Sequence, residues 1–250
     1  MKRLIFVFSL FLSFSALWAG PESYDHLDSF KKSSVAAKGP SEEKMETSDG
    51  KITAKAVYTY NNKGQLIRAD YFADSKADGY TVYSYSNDGL SEEKLYDKKG
   101  SLIEIIKYKI KKDLVQSYKV TTTGNKNKVE VEWLFQYKDN KLAAGTRSVN
   151  KETSENFTLT ENGHEKIQTI FNAQSEKMAT IEYLFENGNL KSRVRKEITG
   201  VKKIDYVYDK KGRLIKMLFY DLLKGKEKLV KTHSLKYSSL TSKSYKVNNL

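Results

Sequence analysis

Apolar and polar residues alternate along most of the chain from Lys51 onward, which is the pattern of a β-strand with one sheltered face. The clearest stretch is 129–137, where Val131, Trp133 and Phe135 alternate with Glu130 and Glu132. Successive side chains of a strand point to opposite faces, so one face is aromatic and aliphatic and the other is charged. Stretches 52–60, 181–185 and 204–208 repeat the pattern. It predicts a sheet rather than a set of helices.

An octet that occurs twice predicts how these strands are joined. Tyr-Asp-Lys-Lys-Gly-Ser-Leu-Ile begins at Tyr96 and recurs from Tyr208 with Arg at the sixth position. An Asp can open a type I turn, and a Gly in the left-handed conformation can close a three-residue loop with a bulge. Tyr208 and Leu214 then form a cross-strand pair, and Asp209 faces Arg213. The octet therefore specifies both the turn and the strand register.

Shorter variants of this motif keep the facing pair. Phe185 and Leu190 flank Asn187-Gly188, and Asn-Gly is the preferred centre of a two-residue type I′ hairpin. The residues that these copies predict to be structural turns are Asp97, Gly100, Asp209, Gly212, Gly64, Asn187 and Gly188.

Turn signals recur with a period of about two dozen residues, enough for two strands and their connections. They lie at Gly64, Gly89, Asp113, Asn140, Gly163, Gly188 and Gly212. Gly100 falls outside this spacing, and we interpret it as a local insertion or an extra short hairpin. The fold class expected is all-β: an antiparallel β-hairpin meander, either a curled single sheet or an open or closed barrel, with a polar N-terminal arm.

The segment 206–214 resembles the YD repeat of Rhs-type cell-surface proteins. It reads Tyr-Val-Tyr-Asp-Lys-Lys-Gly-Arg-Leu, which matches Tyr-x-Tyr-Asp-x-x-Gly-Arg-Leu throughout. Partial copies make the resemblance patchy over 56–237, and it extends to short YD-like repeats of exported bacterial proteins. What it implies is the hairpin architecture, because the motif residues are structural and no family active site maps onto this chain.

The beginning of the chain predicts export. Met1-Lys2-Arg3 precedes a run of apolar and Ser residues to Leu17, as in a secretory signal peptide. We expect 1–19 to be a signal peptide, with the cleavage site uncertain by a few residues, 20–50 to be a flexible arm that carries both prolines, and 51–250 to be the β-repeat domain. The mature protein is then periplasmic or exposed at the outer cell surface.

The composition narrows the function classes. The chain has no cysteine, which excludes disulfides, thiolate metal sites and thiol catalysis. Its formal net charge is +13, with lysines in many turns, which suits an anionic partner such as a polysaccharide, a lipid headgroup or a surface protein. The same lysines can instead keep sheet edges soluble. We expect no nucleic-acid partner and, because the outward face is charged, no membrane-spanning domain after signal removal.

No constellation of reactive side chains is apparent. His26, His164 and His233 lack a second histidine at ligand spacing, so we predict neither a metal site nor a cofactor. Glu130 and Glu132 have the spacing of a glycosidase pair but face the predicted solvent side. We therefore expect no catalytic residues and no enzymatic activity.

The expected function is an exported, non-catalytic binding or scaffold protein. The alternative is a periplasmic carrier that encloses a lipid or another amphipathic ligand in its curled sheet. The seventeen tyrosines favour an interior that needs partners for its hydroxyls. They are either ordinary core residues or the lining of a cleft. The candidates for ligand-facing side chains are Tyr58, Tyr60, Trp133, Phe135, Tyr137, Tyr183, Phe185, Tyr206 and Tyr208.

Overall fold

The fold is a long antiparallel β-meander. A computed structural model describes residues 39–112, 114–123, 128–223 and 225–237, and these ranges contain sixteen strands and no helix. The strands are β1 (Glu42–Thr47), β2 (Ile52–Tyr60), β3 (Leu66–Ala73), β4 (Lys76–Ser86), β5 (Gly89–Asp97), β6 (Leu102–Lys111), β7 (Leu114–Thr122), β8 (Glu130–Lys138), β9 (Lys141–Val149), β10 (Glu152–Asn162), β11 (Glu165–Asn172), β12 (Lys177–Glu186), β13 (Asn189–Glu197), β14 (Gly200–Tyr208), β15 (Leu214–Leu223) and β16 (Lys226–Lys236). The predicted all-β meander is confirmed.

The meander closes on itself into a barrel. Each strand pairs with its neighbours in sequence, and β1 pairs antiparallel with β16, with Met45 opposite His233. Closure removes the unpaired edges that an open sheet would expose. We call the end that carries the β2–β3 turn and every second turn after it the upper end, and the opposite end the lower end.

The two ends explain the spacing of the turn signals. The turn signals at Gly64, Gly89, Asn140, Gly163, Gly188 and Gly212 belong to the upper end, so the period measures one full hairpin. Asp113, the other member of the predicted series, lies outside the described residues. Gly100 lies between β5 and β6 at the lower end. It is an ordinary turn of the meander, and our interpretation of it as an insertion or an extra hairpin was wrong. The error arose because the lower turns at Asp74-Ser75, Asn150-Lys151 and 173–176 contain no glycine, so the lower end shows no regular glycine period.

The repeated octet forms the predicted turn at both ends. Asp209 Oδ1 accepts hydrogen bonds from the backbone N–H groups of Lys211 and Arg213 at 2.9 and 3.0 Å, and its other carboxylate oxygen accepts from the Arg213 side chain. Gly212 has a φ of +73°, the left-handed conformation that closes the loop. Tyr208 lies opposite Leu214, as predicted.

The first copy of the octet forms the same turn at the lower end of the barrel, between β5 and β6. Asp97 accepts from the N–H groups of Lys99 and Ser101 at 2.8 Å, and Gly100 has a φ of +82°. Tyr96 nevertheless lies on the outer face, where its ring stacks on Tyr80 at a centroid distance of 4.8 Å. The octet therefore encodes the turn but not which face its tyrosine occupies.

The remaining predicted turns have the expected backbone. Gly64 has a φ of +76°, and the Asn61 carboxamide oxygen accepts from the turn N–H groups of Lys63 and Gln65 at 2.9 Å. Asn187 and Gly188 have φ values of +51° and +78°, which is the type I′ pattern.

Tyrosine hydroxyls fasten the upper end where the backbone ladders stop. Pairing between β13 and β14 ends at Ser192 and Asp205, and the Tyr208 hydroxyl then donates to the Leu190 carbonyl at 2.9 Å. The same bond recurs from Tyr60 to Pro40, from Tyr85 to Leu66, from Tyr137 to Val115 and from Tyr237 to Leu214, at 2.7–2.9 Å. The second tyrosine of the repeat thus donates a hydrogen bond to a backbone carbonyl that has no partner in the strand pairing.

Two equivalent positions have no hydroxyl. Between β11 and β12 the backbone pairing runs further, and the Phe185 N–H donates to the His164 carbonyl at 2.9 Å. On β6 the position is Ile110, although the pairing with β5 ends at Glu92 and Lys107, so the tyrosine bond occurs at five strands rather than at every one.

The predicted boundary of the arm at residue 50 requires a correction. Residues 42–47 form β1, which closes the barrel between β2 and β16. The sequence pattern missed this strand because its inward positions are Glu43 and Met45, and an inward glutamate hides the alternation. The predicted signal peptide, the rest of the arm to residue 38 and His26 lie outside the described residues.

The inward side chains form two buried clusters. We call the first the tyrosine cluster; it comprises Ala56, Tyr58, Leu66, Ala69, Tyr71, Tyr83, Leu90 and Leu95 on β2–β5. We call the second the tryptophan cluster; it comprises Ile106, Val115, Tyr118, Trp133, Phe135, Phe157, Ile170, Ala179, Ile181, Tyr183 and Leu190 on β6–β13. Tyr108 packs against both. Within the described ranges, we find no helix long and apolar enough to cross a membrane.

Candidate functional site

The nine aromatic residues selected from the sequence lie on the inward face of the barrel. Tyr58, Trp133, Phe135 and Tyr183 are buried, and the other five, Tyr60, Tyr137, Phe185, Tyr206 and Tyr208, are partly buried. The hydroxyls of Tyr58, Tyr60, Tyr137, Tyr183 and Tyr208 bind neighbouring strands. Contact with a ligand stays a prediction for the whole set.

Aromatic rings fill the interior at the tryptophan cluster. Trp133 and Phe135 stack with centroids 6.4 Å apart, and Tyr118 and Phe157 lie against them at 5.7 and 6.1 Å. A methyl group added to Gly145 would lie 2.3 Å from the Phe157 ring. Water in an open lumen would touch these inward rings, yet Tyr118 is 1% and Phe157 2% exposed. This part of the barrel is a packed core rather than a channel.

A buried glutamate joins three strands on the other side of the barrel. Glu43 on β1 accepts a hydrogen bond from the Tyr58 hydroxyl at 2.7 Å, and Nδ1 of His233 on β16 lies 2.7 Å from its other oxygen. His233 is fully buried, and its Nε2 has no hydrogen-bond partner among the described residues. The Phe219 ring lies 4.6 Å from the imidazole, centroid to centroid. Glu43 therefore ties the closing strand to both neighbours.

Two more carboxyl groups lie inside the barrel on β5 and β6. Glu93 is 5% and Glu104 6% exposed, and the Tyr108 hydroxyl donates to Glu93 at 2.6 Å. Burial raises the pKa of Glu93 to about 7, with Glu104 adding a repulsive contribution. Burial likewise raises the pKa of Glu104 to about 7. Both carboxyls thus change charge near neutral pH.

Two further phenols are buried beside these carboxyl groups. The Tyr83 hydroxyl donates to Tyr71, which donates to Thr81 Oγ1 at 3.0 Å. Burial raises the pKa of Tyr71 to about 12, and it raises the pKa of Tyr83 well above its ordinary value. These phenols stay protonated and act as hydrogen-bond donors in a medium of low polarity.

This network has groups suited to proton transfer but is closed to a substrate. A carboxyl with a pKa near 7 is an ordinary general base, yet Glu93, Glu104 and His233 are each sealed from solvent. Among the described residues, no group of three His, Cys, Asp or Glu side chains could hold a metal ion. We find that the network holds strands together.

Sequence reasoning missed Glu43, Glu93, Glu104 and His233 as interior groups. The signal for two of them was present, because Glu93 is in phase with Leu95 on β5, and Glu104 with Ile106 on β6. We had assigned charged residues to the outer face by type. Position in the alternation was the better guide.

The outer face is charged, and several of its carboxylates form ion pairs. Glu130 accepts from Lys119 and Lys128 at 2.7 and 2.9 Å, and these hydrogen bonds lower the pKa of Glu130 to about 2. Glu132, the other member of the carboxylate pair, lies on the same outward face of β8. Similar pairs join Glu92 to Lys94 and Glu42 to Lys55 at 2.7 Å. His164 is exposed in an upper turn.

Comparison with known proteins gives the fold alone. No protein-family model matches the chain, and no curated protein matches it. Among solved structures, a porin-like protein from Bacteroides uniformis superposes with a TM-score of 0.52 at 11% identity, covering 80% of this chain and 96% of that one. At this identity the likeness supports the barrel architecture.

Two further structures resemble the chain much more weakly. A TcdB2-TccC3-TEV structure has a TM-score of 0.19 at 9% identity and covers 74% of this chain and 16% of that one. A protein of unknown function from Bacteroides fragilis has a TM-score of 0.16 at 12% identity, with 60% and 87% covered. Kinship with YD-repeat proteins stays a prediction.

Proposed function

We propose that this chain is an exported, non-catalytic barrel that binds an anionic partner through its outer surface, in the periplasm or at the cell surface. The observation that carries the proposal is the packed interior. Since Trp133, Tyr118 and Phe157 leave no water-sized space beside their rings, contacts with other molecules fall to the outer face and the turns.

The lysines of the turns supply the charge for such contacts. Lys98 and Lys99 at the lower end and Lys210 and Lys211 at the upper end are exposed, and within the described residues none of them forms an ion pair. The chain as a whole has a formal net charge of +13. Free cations on a rigid frame attract polyanions over about 10 Å at moderate salt.

The charged outer face favours a water-exposed barrel over a membrane-spanning one. A lipid-facing strand presents an apolar band about 25 Å tall. Here β5 presents Glu92 and Lys94 outward, and β14 presents Lys203 and Asp205. Contact with lipid acyl chains would not stabilise ion pairs of this kind, whereas such pairs are common on water-exposed protein surfaces.

The carrier hypothesis needs an open lumen along the aromatic wall. The ring contacts at the tryptophan cluster speak against it, and no contact of the described residues favours a separate ligand chamber. Native mass spectrometry of the protein purified from its source is the direct measurement. A lipid-sized mass retained at a fixed molar ratio would establish the carrier and contradict our proposal.

Chromatography of the purified full chain on immobilised dextran sulfate tests the anionic partner. We expect retention at 50 mM salt, elution by about 300 mM salt and no retention on uncharged dextran, because screened contacts weaken with ionic strength. A quadruple variant, Lys98→Gln/Lys99→Gln/Lys210→Gln/Lys211→Gln, should elute earlier. Equal elution from the charged and uncharged matrices would overturn the proposal.

A further inference from the structure

Exposed apolar side chains are concentrated at the lower end of the barrel. Among the described residues, eight large hydrophobic side chains are exposed. Leu134 and Leu184 lie on the outer wall, and the other six, Ile52, Val129, Met178, Ile198, Leu223 and Val230, lie at or near the lower ends of their strands. Ile198 in the β13–β14 turn is 96% exposed and Leu223 is 61% exposed.

Five of these residues follow one another around the lower end of the barrel. Ala179 pairs with Glu197, which places Met178 next to Ile198, and Val201 pairs with Leu222, which places Leu223 beside the same turn. The Val230 carbonyl accepts from the Ser48 N–H at 3.2 Å, and Ile52 pairs with Glu46 on the adjoining strand. The arc thus runs from β12 through β16 to β2. We call Met178, Ile198, Leu223, Val230 and Ile52 the lower rim.

Lysines alternate with the apolar side chains of the lower rim. Lys177, Lys202, Lys226, Lys228 and Lys51 are exposed, and none forms an ion pair among the described residues. The nearby Glu197 and Glu227 are neutralised by Arg195 and Lys203. Glu46, Asp49, Glu176 and Asp221 are the remaining acids, and Asp49 and Glu176 accept hydrogen bonds from Thr47 and Asn172. Five unpaired lysines thus lie among the apolar side chains of the arc, beside four acids that form no ion pair among the described residues.

We propose that the lower rim is a docking surface for an anionic lipid membrane, a step that rests on the proposed binding of anionic partners and names one of them. Protruding apolar side chains enter the boundary between headgroups and acyl chains, and neighbouring lysines bind the anionic headgroups. The residues stand on turn tips and strand ends that share one end of a barrel, so a planar target meets several at once. A soluble polyanion would use the lysines and leave Ile198 and Leu223 without a role.

A protein partner fits this arc less well. Stable protein interfaces bury about 800 Å² on each side in a continuous patch with a well-packed centre. The lower rim is a row of separate side chains interleaved with lysines. That arrangement matches the interfacial amphipathic pattern, in which a few inserted side chains and the surface potential act together.

Vesicle co-sedimentation of the full chain tests the inference. We expect binding to vesicles of phosphatidylcholine with about 30% phosphatidylglycerol, and little binding to phosphatidylcholine alone, since the surface potential depends on anionic lipid. The variant Ile198→Ser/Leu223→Ser should lower the partition coefficient at least about tenfold, because it removes the inserted apolar area. Lys226→Gln/Lys228→Gln should lower it by a similar factor.

Two matched variants control for general effects of surface substitution. Leu134→Ser/Leu184→Ser replaces side chains that are 49% and 37% exposed on the outer wall, and Lys63→Gln/Lys138→Gln removes exposed lysines at the upper end. Both should keep vesicle binding within about twofold of the parent chain if the lower rim makes the contact. Equal losses in the wall and rim variants would overturn the lower rim as the docking surface.

The experiment separates this inference from the proposed function. Retention on dextran sulfate without binding to anionic vesicles would overturn the membrane inference and leave the proposed function standing. Loss of both would overturn both. A dimer in light scattering that Ile198→Ser/Leu223→Ser converts to a monomer would show that a second copy occupies the rim, and would also overturn the inference.

Discussion

The barrel encloses two buried clusters that differ in the side chains that form them. In the tyrosine cluster, small residues such as Ala56 and Ala69 leave room for phenols, and the hydroxyls of Tyr58 and Tyr108 bind buried carboxylates. In the tryptophan cluster, Trp133, Phe135 and Phe157 fill the space with rings that have no hydroxyl. The strands, turns and bulges around the two clusters follow the same plan.

The difference shows that the repeat specifies the strands and turns, which we call the frame, and not the inward side chains, which we call the filling. A cross-strand pair and a positive-φ turn recur in both halves, whereas the inward positions between them vary freely between titratable and apolar residues. The tyrosine cluster should therefore respond to pH, and the tryptophan cluster should respond to lost volume. The variants below test this contrast, beginning with the largest effect.

Shortening Phe157 should give the largest loss of stability. The ring is buried at 2% exposure and packs over Gly145, which has no side chain to refill the space. We expect Phe157→Ala to lower the free energy of unfolding by about 3–5 kcal/mol, as for other large aromatic deletions in a core. Urea denaturation measures it, and the loss should be the same at pH 5 and pH 8.

Phe157→Leu is the matched control, since it keeps most of the volume and should cost clearly less. A loss below about 1 kcal/mol for Phe157→Ala would mean that the ring already borders a void. That result would remove the evidence for a packed core.

The tyrosine cluster should lose stability as the pH rises from about 4.5 to about 7. Glu93 and Glu104 have ordinary pKa values of 4.5 and folded-state values of about 7, so the folded chain binds more protons than the unfolded chain in this window. Stability is therefore greatest near pH 4.5, falls through the window and levels off above it. The fall should amount to several kcal/mol, because each pKa unit between the unfolded and folded values is worth about 1.4 kcal/mol for each group.

Glu93→Gln keeps the acceptor for the Tyr108 hydroxyl and removes one titrating group, so it should flatten this pH profile. Glu130→Gln on the outer face should leave the slope in this window unchanged, because the pKa of Glu130 lies at about 2. Equal slopes in parent and Glu93→Gln chains would show that Glu93 does not titrate in this range.

Hydroxyl deletions should cost more in the tyrosine cluster than in the tryptophan cluster. Tyr58→Phe removes a donor from the buried carboxylate of Glu43, whereas Tyr137→Phe removes a donor from the Val115 backbone carbonyl. We expect about 1–3 kcal/mol for the first and about 1 kcal/mol for the second, since hydrogen bonds to charged groups are worth more. Thermal unfolding of both variants at pH 7 gives the comparison, and a larger loss for Tyr137→Phe would reverse our ranking of the halves.

The frame was predictable from the sequence because its signals are local. The octets at Tyr96 and Tyr208 contain their own turn residues, and the pairing of Tyr208 with Leu214 follows from spacing alone. Barrel closure was one of several alternatives. It depends on β1, whose inward Glu43 carries no apolar signal.

The polar interior could not be predicted because its meaning depends on partners that are distant in sequence. Glu43 and His233 are 190 positions apart and meet only when the barrel closes. Glu93 and Tyr108 are closer, yet their hydrogen bond depends on the register between β5 and β6. Judged by residue type alone, such groups were expected to face solvent. Their position in the apolar–polar alternation, in phase with Leu95 and Ile106, places Glu93 and Glu104 in the interior.

Turn substitutions should have a modest effect that is the same in both halves. Gly100 borders the tyrosine cluster and Gly188 the tryptophan cluster; both have positive φ, and nothing lies within 4 Å of an added methyl group. Gly100→Val and Gly188→Val should therefore each cost about 1–2 kcal/mol through backbone strain alone. Denaturation at pH 5 and pH 8 should show equal losses, because the backbone hydrogen bonds of the Gly100 turn lower the pKa of Asp97 below its ordinary value of 3.8, so its carboxylate stays charged at both pH values. A loss at Gly100 that changed with pH would couple the turn to Glu93 and Glu104, and the frame would then no longer be independent of its filling.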